Sequence, residues 1–381
     1  MINRQRVVSE FIELVQTSSP SRHELPVAQR LIPALEALGA QVEVDDAGSK
    51  IGGDTGNVLG RIPGTAPSAP PLLLCAHMDT VVPCQNIRPV AQGDVIRTDG
   101  TTILGGDDKA GIVAILESVR VARERRLPHG PIEILFTICE ENGLLGAKHF
   151  DVTRLAARRG LVLDCDGVNE LITRAPAANH VSFVVHGLEA HAGVCPEQGI
   201  SAIKVAAEAI AGMRLGRIDD ETTANLGVIE GGLATNIVPN RVTIRGETRS
   251  RSLAKLDAQT EHMQRCFDDA AARHQVTVEG RGHTARVEAR VARGYERLDL
   301  GDDTAIVRLM TRAAERLHRN FRTRATGGGC DANVFAGRGL EVANLGCGMR
   351  AIHTVNEWVD VNDIVATTEL LVALLQVNAE N

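Results

Sequence analysis

Aromatic residues are scarce in this chain: they make up 2% of 381 residues, with one Trp, one Tyr and seven Phe. A core built from such a sequence is aliphatic, and a substrate site within it relies little on aromatic walls. Long apolar runs are missing too. None approaches the ~20 consecutive residues needed to span a bilayer, so no membrane-spanning role is expected. Positive charge is not in excess either: the net charge is −7. That balance argues against a nucleic-acid or anionic-membrane surface, both of which need clustered cations. The eight cysteines are spread singly, without a C-x-x-C pair, which reads as reduced thiols rather than a disulfide framework. The N-terminal stretch MINRQRVVSEFIELV mixes Arg and Glu through an amphipathic pattern, unlike a signal peptide. The expectation is a cytoplasmic protein.

What is present is ordinary for a folded enzyme. Hydrophobic content is 44%, enough for a sizeable core, and the length suggests two domains. Residues 5–15 and 24–38 carry apolar positions at helical spacing. Short apolar runs, Leu72–Ala76, Ile132–Ile138 and Leu161–Leu163, read as buried strands, with a helix over Ala110–Val121 between the first two. This alternation predicts an α/β sheet with functional residues at its strand ends. From about residue 178 the rhythm changes to β-α-β-β-α-β, a ferredoxin-like order. A helix over Asp303–Leu317 and the run VANLG then return to the α/β style. The predicted architecture is an α/β catalytic domain (1–177 and 293–381) interrupted by a smaller α+β domain (178–292).

Charged residues gather where apolar strands stop. His77 and Asp79 close LLLCAHMDT; two residues apart on a strand, they face the same way. A metal-binding imidazole steadied by a carboxylate fits this pair, as does a merely polar strand terminus. LGGDDKAG, Leu104–Gly111, places two acids before a helix, where the dipole favours one carboxylate even without metal. ICEENG, Ile138–Gly143, follows another apolar strand. At a turning strand end both Glu140 and Glu141 can reach one pocket, one to bind metal and the other to carry protons. Asp164 ends LVLD, with Asp166 two residues on, and His353 lies in GMRAIHTVNE. Hard oxygen and imidazole donors in this mixture suit zinc, with cobalt or manganese as alternatives.

HMDTV, LGGDDKAG, TICEENGLLGAK, VLDCDG, AHAGVCPEQG, GGLATNIVPN, GGGCDAN and His353 together resemble the M20 metallopeptidases, in particular the peptidase T-like branch, across residues 70 to 357. The resemblance implies a hydrolase that cuts an amide bond in a small peptide-like substrate. It implies two zinc ions bridged by Asp107, one completed by His77 and Asp164, the other by Glu141 and His353. Asp79 would orient His77, and Glu140 would be the general base and acid. Asp164 is preferred over Asp166 because it sits where the apolar strand ends.

In the interrupting domain the resemblance makes His191 a residue that reaches substrate and stabilises the oxyanion. Asn236 and Arg249 match positions that hold the substrate backbone or carboxylate, and Glu357 is a further candidate for the metal pocket. Cys75, Cys139 and Cys165, beside the proposed site residues, read as small buried hydrophobes. Two features depart from the tripeptide aminopeptidases: Asp108 stands where they usually have Asn, and AHAGVCPEQG looks more like the carboxypeptidase and deacylase branches. N-acyl or N-carbamoyl amino acid hydrolysis is therefore an alternative activity, and a non-catalytic metal-binding scaffold the alternative of another class. A homodimer, paired through a strand edge of the smaller domain, is the expected assembly.

Overall fold

The computed structural model describes residues 1–380. The chain divides into two compact units, one formed by Met1–Arg174, Leu298–Thr326 and Cys330 onward, the other by Ala175–Arg297 with Gly327–Gly329. The first is a mixed α/β layer structure. The second is the smaller α+β unit inserted into it, as the change of sequence rhythm predicts.

At the centre of the first unit four parallel strands lie in the order Ile132–Thr137, Leu72–His77, Arg159–Val162, Glu341–Leu345. Every residue of Leu72–His77 and Ile132–Thr137 is buried, because helices cover both faces of a parallel sheet and leave no solvated side to alternate toward. The helix Gly106–Glu124 forms the crossover between these two strands and packs on Leu72–His77 and on the C-terminal helix Val361–Ala379. The register pairs His77 with Thr137 and Cys75 with Val162. The strand ends that carry His77, Glu140 and Asp164 therefore finish side by side at the carboxyl edge of the sheet, the usual location for ligands in such folds. Antiparallel strands extend the flanks, Val58–Ile62 beside Ile132–Thr137 and Glu170–Ala175 beside Glu341–Leu345. A separate four-stranded sheet, Met349–Arg350, Trp358–Asp360, Val95–Thr98 and Pro89–Gln92, carries the loop of His353.

The second unit has the sheet order Thr222–Gly231, Arg241–Ser250, Ala177–His186, Arg286–Tyr295, all antiparallel, with the short strand Gly216–Arg217 outside the first. The helices Ala202–Ala211 and Leu253–Arg273 pack on this sheet, completing the predicted ferredoxin-like order. One strand differs from expectation. The last strand of the order reads from QVTVEG onward, but among the described residues Gln275–Val278 pairs with Arg281–Thr284 as a separate hairpin, and Arg286–Tyr295 takes the sheet position. Glu279 and Gly280, both with positive φ, close a tight turn there that the hydrophobic pattern does not announce.

Scarce as they are, the phenylalanines are placed where a large side chain is most useful. Phe183 and Phe267 are fully buried and stacked, with ring centroids 4.3 Å apart. All eight cysteines are free, and among the described residues no helix is long and apolar enough to cross a membrane. Phe267→Ala should destabilise the inserted unit by about 3–5 kcal/mol, the usual range for removing a buried aromatic. Denaturant unfolding followed by hydrogen exchange in residues 253–273 measures it, and a loss below about 1 kcal/mol would contradict the packing described.

Candidate metal centre

Asp107 is the middle of the site. Its Oδ1 lies 2.9 Å from Nε2 of His77 and its Oδ2 lies 3.2 Å from Nε2 of His353. His353 Nε2 is also 2.9 Å from Oε1 of Glu141. Three sets of donor atoms, each within 4.8 Å of one another, overlap here: His77 with Asp107 and Asp164, His77 with Glu140 and Glu141, and Asp107 with Glu141 and His353. All six residues belong to the first unit. Asp166 does not join them; its carboxylate pairs with the Arg324 guanidinium.

The backbone explains how consecutive residues converge. Asp107 and Asp108 depart from helical dihedrals at the start of Gly106–Glu124, so the Asp107 side chain leaves the helix axis before regular turns begin. Cys139 adopts φ 50°, an uncommon left-handed conformation that turns the chain as the strand ends. The peptide N–H groups of Glu140 and Glu141 then both donate to Asp79, at 2.9 and 3.2 Å. Asp79 also accepts from Ser21 Oγ at 2.6 Å, and its Oδ1 sits 3.3 Å from Nδ1 of His77. One carboxylate thus clamps the strand end that carries Glu140 and Glu141 and lies against the imidazole of His77.

Further groups that sequence reasoning missed or left without a role support the same atoms. Asp108 accepts from the backbone N–H of His77 (3.1 Å) and of Gly111 (3.2 Å). Asn344 accepts from the Asp164 N–H and donates to its carbonyl, anchoring that strand end. Asp331, inside GGGCDAN, accepts from Thr137 Oγ1 at 2.6 Å. The buried Lys109 ammonium donates to Ser19 Oγ and the Met78 carbonyl, and also meets Thr80 Oγ1. Only the D-D-K triplet and GGGCDAN carried a visible signal; Ser21 and Asn344 are ordinary polar residues until the fold brings them in.

The electrostatics follow from burial and crowding. Burial pushes the Asp107 carboxyl up, yet its hydrogen bonds to His353 and His77 outweigh that and hold it below the usual carboxylate range. Burial alone would lower the His77 imidazole, but hydrogen bonds to Asp107 and Asp79 raise it well above its ordinary value. His353 is raised to about 10, chiefly by its hydrogen bond to Asp107 and then by Glu141. Glu140 is raised well above the carboxylate range by burial and then by the charge of Asp164, and Asp164 likewise by burial and then by Asp107. A cluster of carboxylates that can be neutralised only by protons on its histidines and acids is a site that demands positive charge. Lys109 is committed elsewhere, and oxygen and imidazole donors at these separations fit divalent cations.

In the inserted unit the strand-like pairing of His191 with Ile237, and the Ala192 N–H bonded to the Asn236 carbonyl at 2.9 Å, hold the two predicted loops together. Both His191 and Asn236 are exposed. Arg249, on the strand Arg241–Ser250, pairs with Glu247 at 2.9 Å.

The uncharacterized protein YqjE of Bacillus subtilis is 41% identical over 377 residues, covering 99% of each chain. The crystal structure of the aminopeptidase PepT from Bacillus cereus is 42% identical, with a TM-score of 0.88 and 99% of each chain covered. That of a tripeptidase from Staphylococcus aureus is 34% identical, with a TM-score of 0.92 over the whole of both chains. Residues 73–377 match the peptidase family M20/M25/M40, a span that holds every one of the converging donors, and the chain belongs to that family.

Proposed function

We propose that this chain hydrolyses an amide bond in a short peptide with a free amino terminus, using two zinc ions, with cobalt or manganese able to replace them. The observation that carries the reading is the two-sided contact of Asp107, one oxygen toward His77 and the other toward His353. Asp107 would bridge the cations, with His77 and Asp164 completing one and Glu141 and His353 the other. When bound, the pair would bring a water toward neutral acidity and polarise the substrate carbonyl.

The remaining chemistry belongs to the chain's own groups. Glu140 accepts the proton of the attacking water and returns it to the leaving nitrogen, so that the C–N bond breaks as the amine becomes neutral. Its burial favours a carboxyl able to hold that proton. Asp79 keeps His77 and the Glu140 backbone in place and takes no proton itself. His191 would stabilise the oxyanion, and Asn236 and Arg249 would hold the substrate backbone and carboxylate.

The aminopeptidase and tripeptidase named among the relatives support unblocked tripeptides as the first substrates to try. Asp108, one of the two departures from that branch, is compatible with this choice. Its carboxylate is engaged with the N–H groups of His77 and Gly111, so it acts on the scaffold rather than on substrate. For assembly we propose a homodimer through the strand Thr222–Gly231. Gly216–Arg217 pairs only with Thr223 and Ala224, and beyond them, among the described residues, the outer edge continues unpaired beside exposed Ile229 and Ile203.

Four outcomes are expected. Mass-spectrometric turnover on tripeptides, dipeptides, N-blocked peptides and N-acyl amino acids should give release of the first residue from unblocked tripeptides. Cleavage of acylated substrates alone would move the activity to the deacylases, and inactivity on all of them with zinc bound would favour a scaffold. Glu140→Gln should lower kcat by roughly 10²–10⁴-fold, the range for loss of a general base, while metal analysis still finds two equivalents; retained turnover would remove Glu140 from its role. Chelation should abolish activity, and zinc uptake should weaken as pH falls. The sign follows from histidines whose metal-free pKa values are raised, His353 to about 10, so that below that pH a cation must displace protons to bind. Titration calorimetry in buffers of different ionisation enthalpy counts those protons, and zero release would contradict it. Ile229→Lys should convert a dimer to monomer in sedimentation, and an unchanged dimer would place the interface elsewhere.

A further inference from the structure

Glu357 is fully buried, and its carboxylate meets backbone N–H groups beside the cluster rather than the side chains within it. Its Oε2 accepts from the N–H of Gly105 at 2.8 Å and its Oε1 from the N–H of Asp107 at 2.9 Å. Some 250 residues separate the partners in sequence. On its own side of the contact the Glu357 N–H donates to the Thr354 carbonyl at 3.1 Å, and Thr354 Oγ1 donates to the Ala351 carbonyl at 2.7 Å. These bonds close the turn in which His353 is held at φ 62° and Ala351 at φ 50°, a left-handed conformation costly for residues with a Cβ. One side chain therefore receives the loop that carries Asp107 while its backbone ends the turn that carries His353.

The fit is close. A Cβ added at Gly106 would lie 3.0 Å from Glu357 Oε1 and 2.7 Å from Val359 Cγ1, so the glycine is required for the carboxylate to approach the loop. The next residues, Trp358–Asp360, are strand-paired on one side to Met349–Arg350 and on the other to Val95–Thr98. The arm on which Glu357 stands is thereby fixed at both edges.

We infer that Glu357 is a positioning residue of the metal centre, which holds the Asp107 loop against the His353 turn so that both side chains meet one cation. This rests on the two-cation reading above. The carboxylate is suited to the task because it offers acceptors only. Two backbone N–H groups point at it, and a neutral amide of the same shape would turn a donor toward one of them and leave that peptide group without a partner. A cation held by Asp107, Glu141 and His353 would depend on both loops. A cation held by His77, Asp164 and Asp107 would depend on the Asp107 loop alone and keeps supports, Asp79 and Asn344, that Glu357 does not touch.

The test is cobalt titration of the metal-free protein, read by visible absorption and by equilibrium dialysis, on the wild type, Glu357→Gln, Gly106→Ala and Val359→Ala. The wild type is expected to take up two equivalents. Glu357→Gln should bind the second at least roughly ten-fold more weakly, the lower bound for loss of a group that orients a metal ligand, and should lose less affinity for the first. Its absorption on the second equivalent should change as well. Gly106→Ala, which displaces the carboxylate without removing it, should show the same selective loss and carries the test if Glu357→Gln does not fold. Val359→Ala loosens the packing beside the loop but leaves these hydrogen bonds, and should lose thermal stability while binding both equivalents. Two equivalents bound by Glu357→Gln as tightly as by the wild type, or an equal loss in Val359→Ala, would overturn the inference. A wild type that binds fewer than two would instead remove the two-cation reading, and this inference with it.

Discussion

Like charges crowded at the end of a sheet are the constraint on which this structure turns. Asp107, Glu140, Glu141 and Asp164 bring carboxylate oxygens into overlapping sets no wider than 4.8 Å. Were they all ionised, two such charges about 4 Å apart would repel by roughly 4 kcal/mol at the effective dielectric typical near a protein surface. Several such pairs cannot be held together by side-chain preference. They are held because each sits on backbone that the fold cannot easily move.

The immobility begins in the parallel sheet. Its central strands are buried on both faces, and their register is set by apolar residues that would be exposed to the wrong layer by a slip of one position. Where each strand ends, a polar group takes over from the ladder. Asp79 collects the N–H groups of Glu140 and Glu141, Asp108 that of His77, Asn344 that of Asp164, and Glu357 those of Gly105 and Asp107. The groups that bind backbone keep those that face the histidines from drifting apart. The cost is local stability: buried charge and left-handed backbone at Cys139, Ala351 and His353 are compensated by the large aliphatic core beneath.

Much of this was legible from the chain alone. Apolar runs that end in HMD, CEEN and LD predict strands with polar groups gathered at their ends, and it is the recurrence of that pattern, rather than any one case, that points to chemistry. The switch from strand–helix alternation to the β-α-β-β-α-β order was also visible, since two-residue and helical periods are local properties. The turn at Glu279–Gly280 was not, because it depends on two positive φ values rather than on hydrophobic pattern. Neither Ser21 nor Asn344 could be read as part of the site. Each is a common polar residue whose partner lies 58 or 180 positions away.

By itself, then, the sequence determined which residue types are available, their order, and the periodicities that mark strands, helices and the change of rhythm at the inserted unit. Those are consequences of short-range geometry and of where apolar side chains must go. Only the tertiary structure decided that the two oxygens of Asp107 face different histidines, that Asp164 and not Asp166 turns inward, and that Glu357 reaches across to the loop before the helix. Each of these depends on the meeting of segments far apart in the chain, and which groups meet is settled by the packing of whole elements rather than by any local preference.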